Sequence, residues 1–412
     1  MNFETKMKIP AVPIVISEFY QQETDKARNE GLPGLRIEWI RGPVWGKTRE
    51  QLRRDVINGN SPITGKPVMQ ELVDKFTKPL AAEETKTGEI NRTKGPATFT
   101  DTAENLNKMF LDKRMTDFLP IVLPTEERVN DMLKGTSHNP DDNAGKMSPT
   151  QTGTYFEDWT FTVRDVAVNA VMAGCKPEYM PLLLAVASTG KEAISVSDNS
   201  FVDAMVINGP IRDEIGLNYG VGAMGPYALA NTTIGRAWSL IAINLGNCGK
   251  VGTTYMGTVG NPMNLINIVI AENEKESPWD PLSVRKGYKK NENVVSLFEG
   301  WGVLSAKNWR ANNWQKEMDF PRIIKDIFKT QAPFLFGATA VLSPPIASFV
   351  KNAGYNTVDD FKKFLMQPEG ADKQPYFQPT AMEIIVTGGT NNNYYSIGGL
   401  QYNKSVQIDP WR

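Results

Sequence analysis

Few residues in this chain are of types suited to chemistry, and each has a bland reading beside the catalytic one. His138 is the only histidine among 412 residues and lies in Gly135-Thr136-Ser137-His138-Asn139-Pro140-Asp141-Asp142. Imidazole titrates near neutrality and serves as a general acid or base, and a loop bounded by Gly, Pro and Asn can carry it to a ligand. The alternative is a surface histidine with no task. Cys175 precedes Lys176-Pro177-Glu178. A thiol beside a lysine and close to helix ends can ionise early and act as a nucleophile, whereas a free cysteine between apolar helices is commonly a small buried hydrophobe. Glu178 fits a general base or a carboxylate favoured by a helix N-terminus. His138, Cys175 and Glu178 are the catalytic candidates.

The substrate-binding candidates follow the glycines. Gly220 to Gly225 runs into an apolar helical pattern over 228–245, and backbone amides in such a place can cradle an anion. The stretch fits neither GxxxxGK[ST] nor GxGxxG, so a nucleotide is weakly supported. Asn231 and Arg236 sit early in that helix, and Arg236 suits either a bidentate carboxylate clamp or a structural ion pair. Gly388, Gly389 and Thr390 follow a strand over 382–387, where ligands of α/β proteins bind, although Gly and Asn also make ordinary turns. Asp117, Asn169 and Asn208 complete the set. One histidine and no CxxC pair argue against a zinc site, so no metal and no cofactor are assigned; oxygen ligation needs no spacing signature and stays open.

The elements that must position these residues point to an α/β fold, with a small parallel N-terminal domain over 1–82, a polar arm over 83–105 and a larger mixed α/β domain over 106–412. In the first, strands over 12–16 and 35–40 flank a helix over 18–30 ended by Gly31, which suggests a parallel crossover. Helical patterns cover 47–57 and 67–78. In the second, helices are expected over 126–133 with Thr125 as N-cap, over 163–172 and over 179–188, and a strand over 204–208 ends in Asn208-Gly209-Pro210.

Composition limits the class of function. A formal net charge of −1 provides no field for nucleic acid or an acidic membrane. Two cysteines fit a reduced, cytoplasmic setting rather than a disulfide framework. The apolar stretch from Ile9 to Ile16 is short and broken by Pro10 and Pro13, so it reads as a buried strand, and no segment reaches transmembrane length. The expected partners are a small-molecule substrate and further subunits, identical or different.

Several longer phrases carry a resemblance. They are Thr116-Asp117-Phe118-Leu119-Pro120-Ile121-Val122 followed by Pro124-Thr125-Glu126-Glu127-Arg128-Val129, Val166-Ala167-Val168-Asn169-Ala170-Val171-Met172-Ala173-Gly174-Cys175-Lys176-Pro177-Glu178-Tyr179, Val206-Ile207-Asn208-Gly209-Pro210, Ala230-Asn231-Thr232-Thr233-Ile234-Gly235-Arg236-Ala237, and Ala271-Glu272-Asn273-Glu274 with Ser277-Pro278-Trp279. Together they resemble the UGSC family of (seleno)proteins, named for a selenocysteine-Gly-Ser-Cys motif of some members, over most of the chain. The resemblance implies a reactive selenocysteine or cysteine after the first strand. Here that place reads Ile16-Ser17-Glu18-Phe19, so the redox dithiol role does not carry over. Phe118 stands where the family tends to have glycine.

Three functions remain in view: an enzyme of lyase or hydrolase type acting on a small polar organic molecule by acid/base or thiol chemistry, a thiol- or selenol-type oxidoreductase relative, and a non-catalytic subunit serving a relative that keeps the reactive residue. The catalytic reading requires glycine-lined turns of the second half to gather distant polar side chains around one cavity; turns facing solvent at separate corners would favour the non-catalytic subunit.

Overall fold

The computed structural model describes residues 7, 10–29, 31–86, 98–147, 159–194, 201–252, 254–255, 259–264, 266–300, 305–309, 319–331, 337–369, 381–391 and 393–412. They divide into two compact units, one comprising residues up to Phe99 with 250–252 and 254–255, the other comprising the rest.

In the first unit, strand β1 (Ile14–Ile16) pairs in parallel with β2 (Glu38–Ile40), and helix α1 (Tyr20–Asn29) makes the crossover. Both strands are shorter than the sequence pattern suggests. Pro13 contributes only its carbonyl, which accepts from Glu38, and a turn at Leu32 to Leu35 takes the start of the second strand. Helix α2 (Arg49–Leu52) opens with a Thr48–Gln51 capping box and continues as a π turn to Ile57. Helix α3 (Val68–Thr77) is anchored on β2 by Lys75, whose ammonium donates to Ile37 O at 2.9 Å and to the buried Glu38 carboxylate at 2.5 Å.

The second unit begins with α4 (Ala103–Asp112), capped by Thr102; these residues lie partly inside the stretch read as a polar arm. Helix α5 (Glu126–Leu133) is capped by Thr125 as expected. A hairpin of β3 (Asn143–Met147) and β4 (Trp159–Thr162) leads into α6 (Val163–Ala173), which Gly174 ends at φ 82°, and then α7 (Met180–Ser188). There follow β5 (Val202–Asn208), α8 (Ile211–Glu214), α9 (Leu229–Leu245), β6 (Ile268–Ala271), α10 (Leu282–Arg285), β7 (Val294–Gly300) and β8 (Ser305–Trp309). The chain closes with α11 (Phe320–Gln331), β9 (Thr339–Leu342), α12 (Pro344–Asn352), α13 (Val358–Met366), β10 (Glu383–Val386), β11 (Asn393–Gly398) and β12 (Leu400–Gln407).

These strands build two four-stranded mixed sheets, ordered β12-β7-β5-β6 and β10-β9-β11-β8. Only β5 with β6 and β9 with β10 pair in parallel. Strand alternation decides the layers. On β5, Val202, Ala204 and Val206 face the second sheet and share a core with its Val341 and Ile385. Asp203, Met205 and Ile207 point the other way, toward the side that α7 and α9 cover. The far face of the second sheet, with Leu342, Ile384 and Ile397, is covered by α11, α12 and α13 through Phe328, Val350 and Phe361. The result is helix on sheet on sheet on helix. Two threonine hydroxyls staple the sheets, Thr387 to Ala271 O and Thr339 to Leu400 O, each at 2.7 Å. Among the described residues no helix is long and apolar enough to cross a membrane.

Helix α9 approaches β6 closely at Gly235, where a β-carbon would lie 2.3 Å from Asn267 O. An interior helical glycine is normally about 1 kcal/mol worse than alanine, so the sign of one substitution tests this contact. Gly235→Ala is expected to destabilise the fold by about 1–3 kcal/mol in a denaturant titration; a stabilised variant would show that the helix and strand do not touch there.

Candidate active site

The carboxyl ends of β5, β6 and β10 meet at one rim of the second unit. Asn208 ends β5 and is fully buried. Its Nδ2 donates to Glu272 Oε2 at 2.7 Å and to Glu274 Oε1 at 3.0 Å, and Gly209 N donates to the same Glu274 oxygen at 2.9 Å. Two carboxylates on one side fix the amide orientation, since only the NH2 can face them. Among the described residues Oδ1 of Asn208 then has no hydrogen-bond partner, and neither has the buried Ser283 Oγ.

Glu272 follows β6 and is itself buried; both its hydrogen bonds, from Asn208 and from Leu282 N at 2.8 Å, fall on Oε2. Burial raises its carboxyl above the usual range, with Arg285 and the two hydrogen bonds opposing. Arg212 lies beneath: Nε donates to Gly209 O, Nη1 to Glu272 O, and Nη2 pairs with Glu274 at 3.0 Å. Tyr219 stacks over that guanidinium at 5.0 Å, and its hydroxyl donates to Asp213 while accepting from Lys275 at 2.8 Å.

The β10 end joins the rim through backbone contacts. Asn273 N donates to Val386 O at 2.7 Å and its Nδ2 to Gly388 O at 3.0 Å, while Gly388 N donates to Tyr219 O at 2.9 Å. Gly389 must be small, because a β-carbon there would lie 2.5 Å from Val221 of the glycine-rich loop. Asn231 belongs to the same framework: its Oδ1 accepts from Asn218 N at 2.9 Å and its Nδ2 donates to Val269 O at 3.2 Å. Thus Asn208, Asn231, Gly388 and Gly389 are gathered at one place, and exposed Thr390 lies at its margin. The loop at 220–225 reaches Gly389 and does not run directly into the helix: Tyr227 at φ 70° and Ala228 intervene before Leu229.

The three catalytic candidates are not part of that rim. His138 closes over the final turn, its ring 4.8 Å from that of Trp411 and its Nε2 2.9 Å from Pro410 O. A carbonyl on Nε2 requires the proton on that nitrogen, so the ring serves as a clasp, reinforced by Thr136 donating to Trp411 O at 2.8 Å. Cys175 donates its thiol to Thr233 O at 3.3 Å, and burial pushes it up to about 12. That environment suppresses the thiolate, the form that attacks. Glu178 is exposed and faces only Lys176 at 3.9 Å. Asp117 and Arg236 satisfy each other in a bidentate pair at 2.8 and 2.9 Å, with Pro120 O taking a third guanidinium bond. Between them lies Phe118 at φ 64°, an exposed residue in the left-handed region where glycine rests without strain. Asn169 accepts from Asn244 Nδ2 at 2.7 Å and so ties α6 to α9.

The chain matches no family model, no curated protein and no solved structure. The geometry alone therefore ranks the residues. Sequence reasoning assigns no role to Glu272, Asn273, Glu274 or Arg212, although the first three stand in one of the phrases that carry the resemblance. A second cluster gave no sequence signal at all. Buried Lys191 lies 3.8 Å from Glu192 and from Asp203 and donates to Glu299, on the helix-covered face of the first sheet. Burial pulls this ammonium down, but the three carboxylates overcome it and hold Lys191 above the ordinary lysine range. Burial likewise raises Asp203, and it raises Glu192 to about 7. Among the described residues no three His, Cys, Asp or Glu groups are disposed to hold a metal ion. Here the lysine already stands between the carboxylates.

Glu192 keeps its proton in the folded chain up to about pH 7, while a free glutamate loses it near 4.5. Folding takes up a proton between these values, so this residue's contribution to stability falls as pH rises through the window. Glu192→Gln removes the titration. At about pH 8 the variant should gain on the wild type by about 3 kcal/mol relative to the difference at about pH 4. Urea titrations at both pH values check this, and a difference that does not change with pH would refute it.

Proposed function

We propose that this chain is an enzyme of lyase or hydrolase type that acts on a small polar organic molecule by acid/base chemistry at the β5, β6 and β10 rim. One observation carries the reading: Asn208 Oδ1 is buried with no hydrogen-bond partner among the described residues, beside a buried carboxyl that burial raises above its ordinary range. A buried acceptor left open costs about 1–3 kcal/mol unless something donates to it. A hydroxyl or amide N–H of a substrate does so here. Glu272 then exchanges the proton through Oε1, the oxygen that bonds to neither Asn208 nor Leu282, and Arg212 holds Glu274 in place beneath it. The acid/base half of the sequence expectation is kept and the thiol half is set aside, because the Cys175 surroundings oppose ionisation.

Kinship with the UGSC family belongs to the same reading. Two phrases that carry the resemblance, Val206 to Pro210 and Ala271 to Glu274, supply the residues that meet at the rim, and Phe118 adopts a backbone conformation suited to the family's glycine. Cytoplasmic placement is supported by two cysteines that are both free.

Thermal-shift screening against small hydroxy-, keto- and amino-acids and their amides tests the site. Compounds that raise the wild-type melting temperature should bind Asn208→Ala at least tenfold more weakly. Glu272→Gln should still bind them but lose about 100-fold or more of any turnover. Hits that bind both variants and wild type alike would remove the site from consideration.

A subunit partner is the second reading, favoured by a specific feature. Phe118, Leu119 and Val122 on one loop, Val221 and Tyr227 on another, and Leu229 at the start of α9 are all exposed, and both loops adjoin the first half of α9. Exposed apolar groups at this density mark contact surfaces. Light scattering after size exclusion should give a mass above that of one chain, and Tyr227→Ser with Leu229→Ser should reduce it to one. A wild type already at the mass of one chain would remove the partner reading.

A further inference from the structure

Charge is unevenly distributed around the start of β10. Glu383 is buried there, and three cations converge on its single carboxylate. Arg285 Nη1 donates to Oε2 at 2.6 Å, Lys286 Nζ to Oε1 at 2.5 Å, and Lys362 Nζ to the same Oε1 at 3.4 Å. Lys286 also lies 3.7 Å above the Tyr402 ring, and Arg285 donates a second bond to Ile384 O at 2.6 Å. Lys362 is the least satisfied of the three. It is 8% exposed, and among the described residues its one side-chain hydrogen bond is long and goes to an oxygen that Lys286 already occupies. An ammonium has three donors to satisfy, and burying one without partners is costly. Besides Glu383, Arg285 also faces Glu272, whose carboxyl is itself held toward neutrality by burial. The cluster therefore carries between one and two uncompensated positive charges.

The other cationic cluster on this face of the fold is balanced differently. Lys325, Lys329 and Arg322 converge on Glu369, but Asp326 adds a second carboxylate to Arg322 and Lys329, and the Phe364 ring lies 4.5 Å from Lys325. Among the described residues, Glu383 is the one carboxylate in ion-pair contact with Arg285, Lys286 and Lys362.

We propose that Arg285, Lys286 and Lys362 form an oxyanion site at the edge of β10, which takes a phosphate group, free or as the ester of a small molecule, with Glu383 spacing the three cations. Phosphate fits because it offers several acceptor oxygens on one centre, enough to meet the open Lys362 donors and to share Arg285 and Lys286 with Glu383. Burial depresses Lys362, with Lys286 and Arg285 adding to that depression against Glu383, as expected where neutralisation is incomplete. The site stands whether or not Glu272 has the role given above.

Isothermal titration and thermal shift with inorganic phosphate and with glycerol phosphate, against sodium chloride at matched ionic strength, test it. Saturable binding of either phosphate by the wild type is expected, the tighter of the two identifying the source. Lys362→Gln and, separately, the more exposed Lys286→Gln should each weaken it roughly tenfold or more, while Lys329→Gln in the Glu369 cluster leaves it unchanged. Phosphate binding seen as line broadening in 31P spectra of the wild type gives a reading that does not depend on how well a variant folds. Response to phosphate no greater than to chloride, or equal binding by Lys362→Gln and wild type, would overturn the site.

Discussion

The second unit depends on how the edges of two sheets are joined. Asn273 gives its amide to Val386 and Thr387 gives its hydroxyl to Ala271, so the ends of β6 and β10 are fixed to one another. With apolar side chains of both sheets meeting between them, the polar groups at that end are withdrawn from bulk water and bond chiefly with each other. The network of Asn208, Glu272, Glu274 and Arg212 follows from this requirement. It is also why the open acceptor of Asn208 is informative: its own amide nitrogen makes two hydrogen bonds in that network, while its oxygen has no partner among the described residues.

Much of the helical framework was legible in the sequence, and for local reasons. Thr125 with its first turn, Gly174 after an apolar run and the long pattern up to Leu245 are all signals carried by residues next to the element they define. The parallel crossover of β1 and β2 was legible too, since a short helix between two strands leaves little choice. The two sheets were not. β5 pairs with β7 from Val202 opposite Gly300 to Asn208 opposite Val294, and nothing in either strand announces a partner so far along the chain. β12 reads Leu-Gln-Tyr-Asn-Lys-Ser-Val-Gln, too polar to stand out as a strand.

The site divided along the same line. Asn208, Gly388 and Gly389 stand out in sequence as glycine-flanked strand ends, and the fold gathers them at one rim. His138, Cys175 and Glu178 stand out by residue type, and type does not reveal surroundings: one is a clasp, one a thiol that burial keeps protonated, one a surface carboxylate. Glu272 was in plain view but looked ordinary, because its distinction is burial beside Asn208. The near-zero net charge was similarly uninformative. It conceals a carboxylate-rich centre around Lys191 and a cation-rich one around Glu383, which offset each other in the total and not in space.

β10 is the outermost strand of its sheet, and such strands ordinarily offer bare carbonyls to any extended chain that passes. Here Ile384 O is taken by the Arg285 guanidinium and Val386 O by the Asn273 amide. A foreign strand arriving at this border finds both of these carbonyl acceptors already engaged. Strand exchange and fibril growth along this side are thereby disfavoured, because a regular ladder would have to displace them.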